Sequence, residues 1–495
     1  MDVPAFEHDE ATIAGLAVQM AAGALTARGL AEAYLARIEA LDGTLRSVLE
    51  INPDALAIAE SLDDERAAGR LRGSLHGIPV LVKANIDTAD RTKTTAGSFA
   101  LGEATPALDA FLVGRLREAG VVILGKSNLS EWANFRSTRS TSGWSARGGQ
   151  CRNPYALDRN PCGSSSGSGV AVSANLCAIA VGTETDGSIL CPASIDGIVG
   201  IKPTVGLVSR SGLVPISHTQ DTPGPMARTV ADAAALLAAI AGADPRDAAT
   251  SEAPGLAWSV DPDGLRGARI GVARNLAGFH DRVDRVFEEA LAAICDAGAE
   301  IVDPVEISHV TELDEPELQV LLFEFKTGLE AYLASLGPEQ PHRSLADLIA
   351  FNVEHADLEM PFFGQELFEQ AAEKGGLDDP AYLQALATCR RLSREEGLDV
   401  AFATHGVDAL VAPSNGPAWI TDHENGDHYL GGDSTPAAVA GYPSITVPAG
   451  FAFGLPLGIS FIGPAWSEPA LIRLASGFEH VSAARRPPAF MDTLD

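Results

Sequence analysis

The chain has 495 residues, of which 46% are hydrophobic and 20% are charged, so it can bury a large core and a disordered chain is excluded. Acidic residues outnumber basic residues by 66 to 35, and the formal net charge at pH 7 is −31. Because nucleic acids and anionic membranes would repel such a surface, we expect neither as a partner.

The amino-terminal residues, MDVPAFEHDE, are acidic and lack the basic region with which a secretory signal begins. No uncharged apolar run reaches the length of about 18 residues that a membrane span needs. We therefore expect a cytoplasmic protein, either a monomer or a homodimer.

Helical and strand patterns alternate along the chain. Apolar residues at three- and four-residue spacing predict amphipathic helices within residues 10–70. The runs GIPVLVKANID (77–87) and AGVVILGKSN (119–128) are β-branched and bounded by glycine or asparagine, which predicts buried strands. The apolar run VAVSANLCAIAVG (170–182) predicts a helix. Further helices are predicted at 231–242 and 284–298, and further strands at 268–273, 408–413, 444–450 and 457–463.

This alternation predicts an α/β protein whose sheet is covered by helices. We expect one domain over residues 1–495. Its predicted parts are amino-terminal helices (1–70), a first part of the core (71–240) and a carboxy-terminal part of the core (406–495). The acidic stretch 310–405 is predicted to be a helical insertion that packs as a cap around the sheet.

The six cysteines show no pattern typical of a metal site or a redox pair. They form no C-x-x-C pair and no H-E-x-x-H motif lies near them. We therefore expect reduced, buried cysteines and neither a metal nor a cofactor. The residues concerned are Cys151, Cys162, Cys177, Cys191, Cys295 and Cys389.

The segment from Gly120 to Ser127 matches the phosphate-loop pattern G-x-x-x-x-G-K-[ST]. A phosphate loop must leave its strand and curl its amides around a phosphate, whereas the four variable positions here are Val, Val, Ile and Leu. Those residues favour the interior of a strand, so nucleotide binding is disfavoured.

A second motif, Gly163-Ser164-Ser165-Ser166-Gly167, matches the nucleophile elbow G-x-S-x-G of α/β-hydrolases. It would make Ser165 the nucleophile of an esterase, with a downstream histidine such as His405 or His428 as base. The preceding residues, RNPYALDRNPC, resemble a loop rather than the strand that an elbow requires. The esterase therefore remains an alternative.

A third serine follows in GTETDGS (182–188). Gly187 lets the backbone bend so that the amides of Thr185, Asp186, Gly187 and Ser188 point one way and form an oxyanion hole. Ser188 would then be the nucleophile, and it needs a base.

Lys83 is a candidate for that base, because its flanking sequence GIPVLV predicts burial, and burial lowers the pKa of a lysine. A lysine at a strand end can also extend its ammonium to solvent, and the residues alone leave both interpretations open.

The stretch CGSSSGSGVAVSANLCAIAVGTETDGSILCPAS (162–194) resembles the signature of the amidase signature family. HGIPVLVKANID resembles the family's lysine element, and GIVGIKPTVGLVSRSGLVPIS and QDTPGPMARTVADAA continue the likeness. The resemblance implies that Ser188 is the acyl-forming nucleophile, Ser164 a bridging serine at a cis peptide bond, and Lys83 the base. It also implies one α/β/α domain around a mixed sheet of about eleven strands.

Two departures from the family pattern stand out. Many members have an arginine two or three residues after the nucleophile and an aspartate after the lysine. This chain has Leu190, Cys191 and Ala84 instead. Where that arginine binds a substrate carboxylate, its absence argues against small acidic substrates.

Within the family, SEWANFRS and SGWSARGGQCRNPY in residues 130–155 resemble members that hydrolyse the C-terminal carboxamide of peptides and release ammonia. The resemblance makes Trp132, Phe135 and Trp144 candidate walls of the substrate cleft. Other hydrophobic or aryl amides are an alternative substrate class, and the glutaminase subunit of a tRNA-dependent amidotransferase is a rival within the family.

Overall fold

The computed structural model describes residues 4–102, 106–337 and 340–494. Eleven of its strands form one mixed sheet in the order β1-β3-β2-β6-β8-β7-β12-β13-β11-β9-β10, and β4 and β5 form a small separate pair. The strands are β1 Val48–Ile51, β2 Pro79–Lys83, β3 Val122–Ser127, β4 Trp144–Ser145, β5 Gly149–Gln150, β6 Ile179–Glu184, β7 Val199–Lys202, β8 Thr222–Ala227, β9 Arg269–Ala273, β10 Glu300–Val305, β11 Ala409–Pro413, β12 Ser444–Ala452 and β13 Leu455–Ile462.

Helices cover this sheet, which confirms the predicted α/β class and the size of the sheet. They are α1 Ile13–Ala21, α2 Ala27–Leu45, α3 Ala55–Ala67, α4 Phe111–Glu118, α5 Ser166–Ser173, α6 Leu190–Ile195, α7 Val230–Ile240, α8 Asp281–Asp296, α9 Asp314–Ser335, α10 Leu345–Glu354, α11 Ala356–Glu359, α12 Glu366–Ala372, α13 Pro380–Arg390, α14 Asp399–His405, α15 Ser434–Ala440 and α16 Glu468–Ser482. Within the described residues, no helix is both long and apolar enough to cross a membrane.

The central strands are those that the β-branched runs predict. Every residue of β2 and β3 is buried, and β2 pairs in parallel with both β3 and β6. Gly125 lies inside β3, and a Cβ there would come within 2.0 Å of the Glu50 carbonyl oxygen on β1. The glycine of the apparent phosphate-loop pattern therefore allows strand pairing, and its G-K-S residues lie in the sheet.

The prediction of one helix over residues 170–182 is wrong. Helix α5 ends at Ser173, Asn175 adopts a left-handed conformation with φ of 57°, and β6 begins at Ile179. A continuous apolar run suits a buried helix and a buried strand equally well, so periodicity could not show the break. The break matters because it brings the chain back along the sheet to Ser188.

The described part of the stretch 310–405 is mostly helical and packs directly on the rest of the chain. Phe325 and Phe368 share an apolar cluster with Trp132 and Phe135. A second cluster joins Phe323 and other residues of the insertion to Val439 on α15. Apolar side chains of this stretch therefore pack against apolar side chains of the core.

The expectation of six reduced, buried cysteines is wrong for three of them. Cys162 and Cys191 form a disulfide, and Cys295 is exposed, while the other three are free and buried. The pair is 29 residues apart in sequence, and it meets because α5 and β6 run out and back between the two positions. The described residues contain no group of three or more His, Cys, Asp or Glu that could hold a metal ion.

Candidate active site

Two neighbouring parallel strands bring the candidate residues to one edge of the sheet. Lys83 is the last residue of β2, and β6 ends at Glu184, just before the turn that contains Ser188. Val82 lies opposite Val181 in this pair, so Lys83 lies level with Gly182, just before β6 ends at Glu184. A Cβ on Gly182 would lie 2.8 Å from the Ser165 hydroxyl, so this glycine lets the serine segment lie directly on β6.

Lys83 is fully buried and surrounded by oxygen atoms. Its Nζ donates hydrogen bonds to Ser164 Oγ at 2.8 Å, to Ser165 Oγ at 3.0 Å and to Thr183 Oγ1 at 2.9 Å. Burial lowers the pKa of Lys83 to about 7, and the carboxylates of Asp221 and Glu184 counteract part of that decrease. A substantial fraction of this amine is therefore neutral at pH 7 and able to accept a proton.

Ser164 is fixed between two backbone contacts. The Gly163–Ser164 peptide bond is cis, as the family resemblance implied. The Ser130 amide donates to the Ser164 carbonyl at 3.1 Å, and the Ser165 amide donates to the Ser188 carbonyl at 3.1 Å. The second of these bonds joins the segment of the bridging serine to the turn of the candidate nucleophile.

The turn before Ser188 presents backbone amides. Gly187 has φ of 73°, which favours glycine. Together with Asp186 it lines a cavity that is described below. Among the described residues, no acceptor is bound by the amides of Asp186, Gly187 and Ser188. Free amides that converge on one side of a turn can bind an oxyanion.

A residue that the sequence analysis missed, Glu184, fixes the chain just after the candidate nucleophile. Its Oε2 accepts hydrogen bonds from the Ile189 amide at 2.7 Å and the Leu190 amide at 3.0 Å. Its position four residues before Ser188 was visible in GTETDGS, but a carboxylate in a polar turn carries no signal of this role by itself.

A cavity of about 750 Å³ opens next to this turn. Gly163 and Gly187 line it, together with the aromatic side chains of Trp419 and Tyr429. Three carboxylates also line it, those of Asp186, Asp314 and Asp427, and its described lining contains no Lys, Arg or His. The cavity can therefore hold a neutral or cationic organic molecule beside the serines.

The three aromatic residues predicted to line the cleft lie in the packed core instead. The exposed fractions of Trp132, Phe135 and Trp144 are 2%, 7% and 5%, and their rings contact aromatic rings of the helical insertion. The aromatic residues that line the cavity, Trp419 and Tyr429, lie in the long loop 414–433. The only signal for them in the sequence was an aromatic residue in a segment rich in Gly, Asn and Asp.

Ser165, the nucleophile of the esterase alternative, is fully buried. Its hydroxyl donates to the Thr183 carbonyl at 3.0 Å and accepts from Lys83, and none of its described partners is a histidine. His428 lines a different cavity and His405 lies at the end of α14. The geometry therefore does not provide the histidine base that a nucleophile elbow needs.

The sequence model of the Amidase family matches residues 29–472. The chain belongs to this family and is an amidohydrolase.

Among solved structures, the chain is similar to native peptide amidase from Stenotrophomonas maltophilia, with 54% identity and a TM-score of 0.93 over 98% of this chain and 100% of that one. Peptide amidase PAM in complex with the competitive inhibitor chymostatin gives 54% identity and a TM-score of 0.95, covering 98% of this chain and 100% of that one. A probable amidase of Arabidopsis thaliana is 44% identical over 98% of this chain and 93% of its own length.

Proposed function

We propose that the protein is a serine amidase that hydrolyses the C-terminal carboxamide of peptides and releases ammonia. The observation that carries this proposal is the hydrogen bond from Lys83 to Ser164. The residues that precede Ser164 and Ser188, Gly163 and Gly187, line one cavity. The similarity to peptide amidase supports the substrate class.

In the proposed reaction, Ser188 Oγ attacks the carboxamide carbon while its proton passes to Ser164 and the proton of Ser164 passes to neutral Lys83. The carbonyl oxygen becomes an oxyanion that accepts hydrogen bonds from the amides of Thr185, Asp186, Gly187 and Ser188. The same relay returns a proton to the leaving nitrogen, which departs as ammonia. Water then hydrolyses the Ser188 ester by the same route and regenerates the free serine.

Ser164 has a specific task in this scheme. Lys83 Nζ donates a hydrogen bond directly to Ser164 Oγ. In the proposed relay, the Ser188 hydroxyl passes its proton to Ser164, whose own proton goes to the amine. The relay needs a lysine that is neutral near pH 7, and burial of Lys83 provides it. Neither a histidine nor a metal ion takes part in any step.

The test measures ammonia from a panel of tripeptides, each as the C-terminal amide and as the free acid, together with simple aryl amides. Wild type should release one ammonia per peptide amide without cutting internal bonds, and Ser188→Ala and Lys83→Ala should be slower by about 10³-fold or more. Ser251→Ala, at an exposed serine, is the matched control.

Release from aryl amides alone, still dependent on Ser188, would retain the mechanism and replace the substrate class. The purified single chain should need no other subunit, which distinguishes it from a glutaminase subunit of an amidotransferase. Activity retained in Ser188→Ala would disprove the mechanism.

A further inference from the structure

We propose that the Cys162–Cys191 disulfide positions the two active-site serines relative to each other, so that hydrolysis is fast only while this bond is oxidised. The inference rests on the proposed amidase reaction. It concerns two cysteines that take no part in the proton relay.

The disulfide closes a loop that contains both serines. Cys162 lies two residues before Ser164, and Cys191 lies three residues after Ser188. Both cysteines line the same cavity as Gly187. The hydrogen bond from the Ser165 amide to the Ser188 carbonyl is one noncovalent link between the same two segments. The disulfide adds a covalent link within a few residues of each reacting hydroxyl.

Cys162 has a backbone conformation that is energetically unfavourable for a residue with a side chain. Its φ is 57°, in the left-handed region where glycine and asparagine are favoured. The Asn160 side chain accepts a hydrogen bond from the Cys162 amide at 2.8 Å, and Ser166 Oγ donates to the Cys162 carbonyl at 2.6 Å. A cysteine held in a conformation suited to glycine indicates that its sulfur contributes something glycine could not.

Two hydrogen bonds fix the position of Cys191 at the start of α6. Its amide donates to the Gly187 carbonyl at 2.8 Å, and the Asn415 side chain donates to its sulfur at 3.4 Å. The carbonyl of Gly187 belongs to the turn that presents the oxyanion amides. A shift of Cys191 after cleavage of the disulfide would therefore be transmitted to that turn.

A dithiol such as dithiothreitol reduces this disulfide by thiol–disulfide exchange. One thiolate attacks a sulfur of the protein disulfide and forms a mixed disulfide, and the second thiol displaces the other protein sulfur. Two electrons pass to the protein, which gains two thiols, and the dithiol becomes a cyclic disulfide. Hydrogen bonds and apolar packing, but no covalent cross-link, then hold the two serine segments together.

The experiment compares oxidised, reduced and reoxidised wild-type enzyme on one peptide amide. Thiol titration of denatured protein should give 4 free thiols before reduction and 6 after it. We expect kcat to fall about 10- to 100-fold on reduction, with KM within about twofold, because misplaced reacting groups slow the chemical step. Reoxidation should restore kcat. The double variant Cys162→Ser/Cys191→Ser should resemble the reduced enzyme, and Cys295→Ser should behave as wild type.

A second readout does not depend on the substrate class: the rate at which an organic fluorophosphonate, a reagent for activated serines, modifies Ser188. Circular dichroism establishes that each form is folded at the assay temperature. If no amide is hydrolysed by oxidised enzyme, the proposed function fails, while a slower fluorophosphonate reaction on reduction would still support the positioning role. An unchanged kcat and labelling rate after complete reduction, or a change confined to KM, would overturn the inference.

Discussion

Lys83 Nζ donates a 2.8 Å hydrogen bond to Ser164 Oγ in a fully buried position, where the pKa of the lysine is lowered to about 7. The same amine also contacts Ser165 and Thr183. This arrangement converts an ordinary strand-end lysine into a base that can work near neutral pH. It also provides the clearest consequence for pH dependence.

We predict that kcat/KM rises with pH through about 7 and then levels off. Below that pH Lys83 is protonated and cannot accept the proton of Ser164, so the rate should fall about tenfold per pH unit. Steady-state rates between pH 5.5 and about 9, with circular dichroism at each pH, provide the measurement. A flat profile across pH 6 to 8 in folded enzyme would show that Lys83 is not the base.

Gly187→Ala should lower kcat by about 10- to 100-fold, because the turn must shift to relieve a side chain at positive φ and its amides would lose their alignment. An added Cβ would also lie 3.0 Å from Ser434 Oγ. Gly69→Ala is the matched control, since Gly69 has φ of 72° against 73° for Gly187 and nothing within 4 Å. Equal effects of the two substitutions on kcat would argue against a role for this turn.

The carboxylates of the cavity should select substrates by charge. Burial raises the pKa of Asp186 and of Asp427, and a cationic substrate group would supply the opposite charge. We predict that kcat/KM for N-acetylated tripeptide amides falls in the order Lys, Gln, Glu at the middle position. Asp314→Asn should reduce the difference in kcat/KM between the lysine and glutamate peptides. Asp296→Asn, outside the cavity, should leave that difference unchanged. Faster hydrolysis of the glutamate peptide than of the lysine peptide would contradict this assignment.

Two tryptophans should respond in opposite ways to truncation. Trp419→Ala removes a cavity wall and should raise KM about tenfold, with a smaller loss of stability. Trp132→Ala leaves a hole in the core and should reduce the free energy of unfolding by about 3–5 kcal/mol. Urea unfolding and steady-state kinetics on both variants separate the two roles. A raised KM in Trp132→Ala, with no change in Trp419→Ala, would indicate that Trp132 contacts the substrate.

The sheet could be read from the sequence where its strands are β-branched and short. The runs around Lys83 and Lys126 have no helical periodicity and end at glycine or asparagine, and both are buried strands. The strand β8, TPGPMA, could not be found in this way, because two prolines and a glycine disfavour a strand. Tertiary pairing with β6 and β7 overrides that local preference.

The candidate site was predictable in part. Residue patterns left Ser165 and Ser188 as competing nucleophiles, and the family resemblance favoured Ser188. The aromatic walls were not predictable, because Trp132 and Trp419 differ only in which long-range partners surround them. The pairing of Cys162 with Cys191 was equally hidden, since it depends on the path of the chain through α5 and β6.

If Ser188 carries the acyl group during turnover, the acyl-enzyme can be trapped and its position in the chain identified. An N-acetylated amino acid p-nitrophenyl ester should acylate the enzyme faster than water releases it, giving a burst of p-nitrophenol. Acid quenching, digestion and mass spectrometry then locate the acyl group. We predict one acyl group per chain on Ser188, and none in Ser188→Ala. A stoichiometric burst with the acyl group on Ser165 would contradict it.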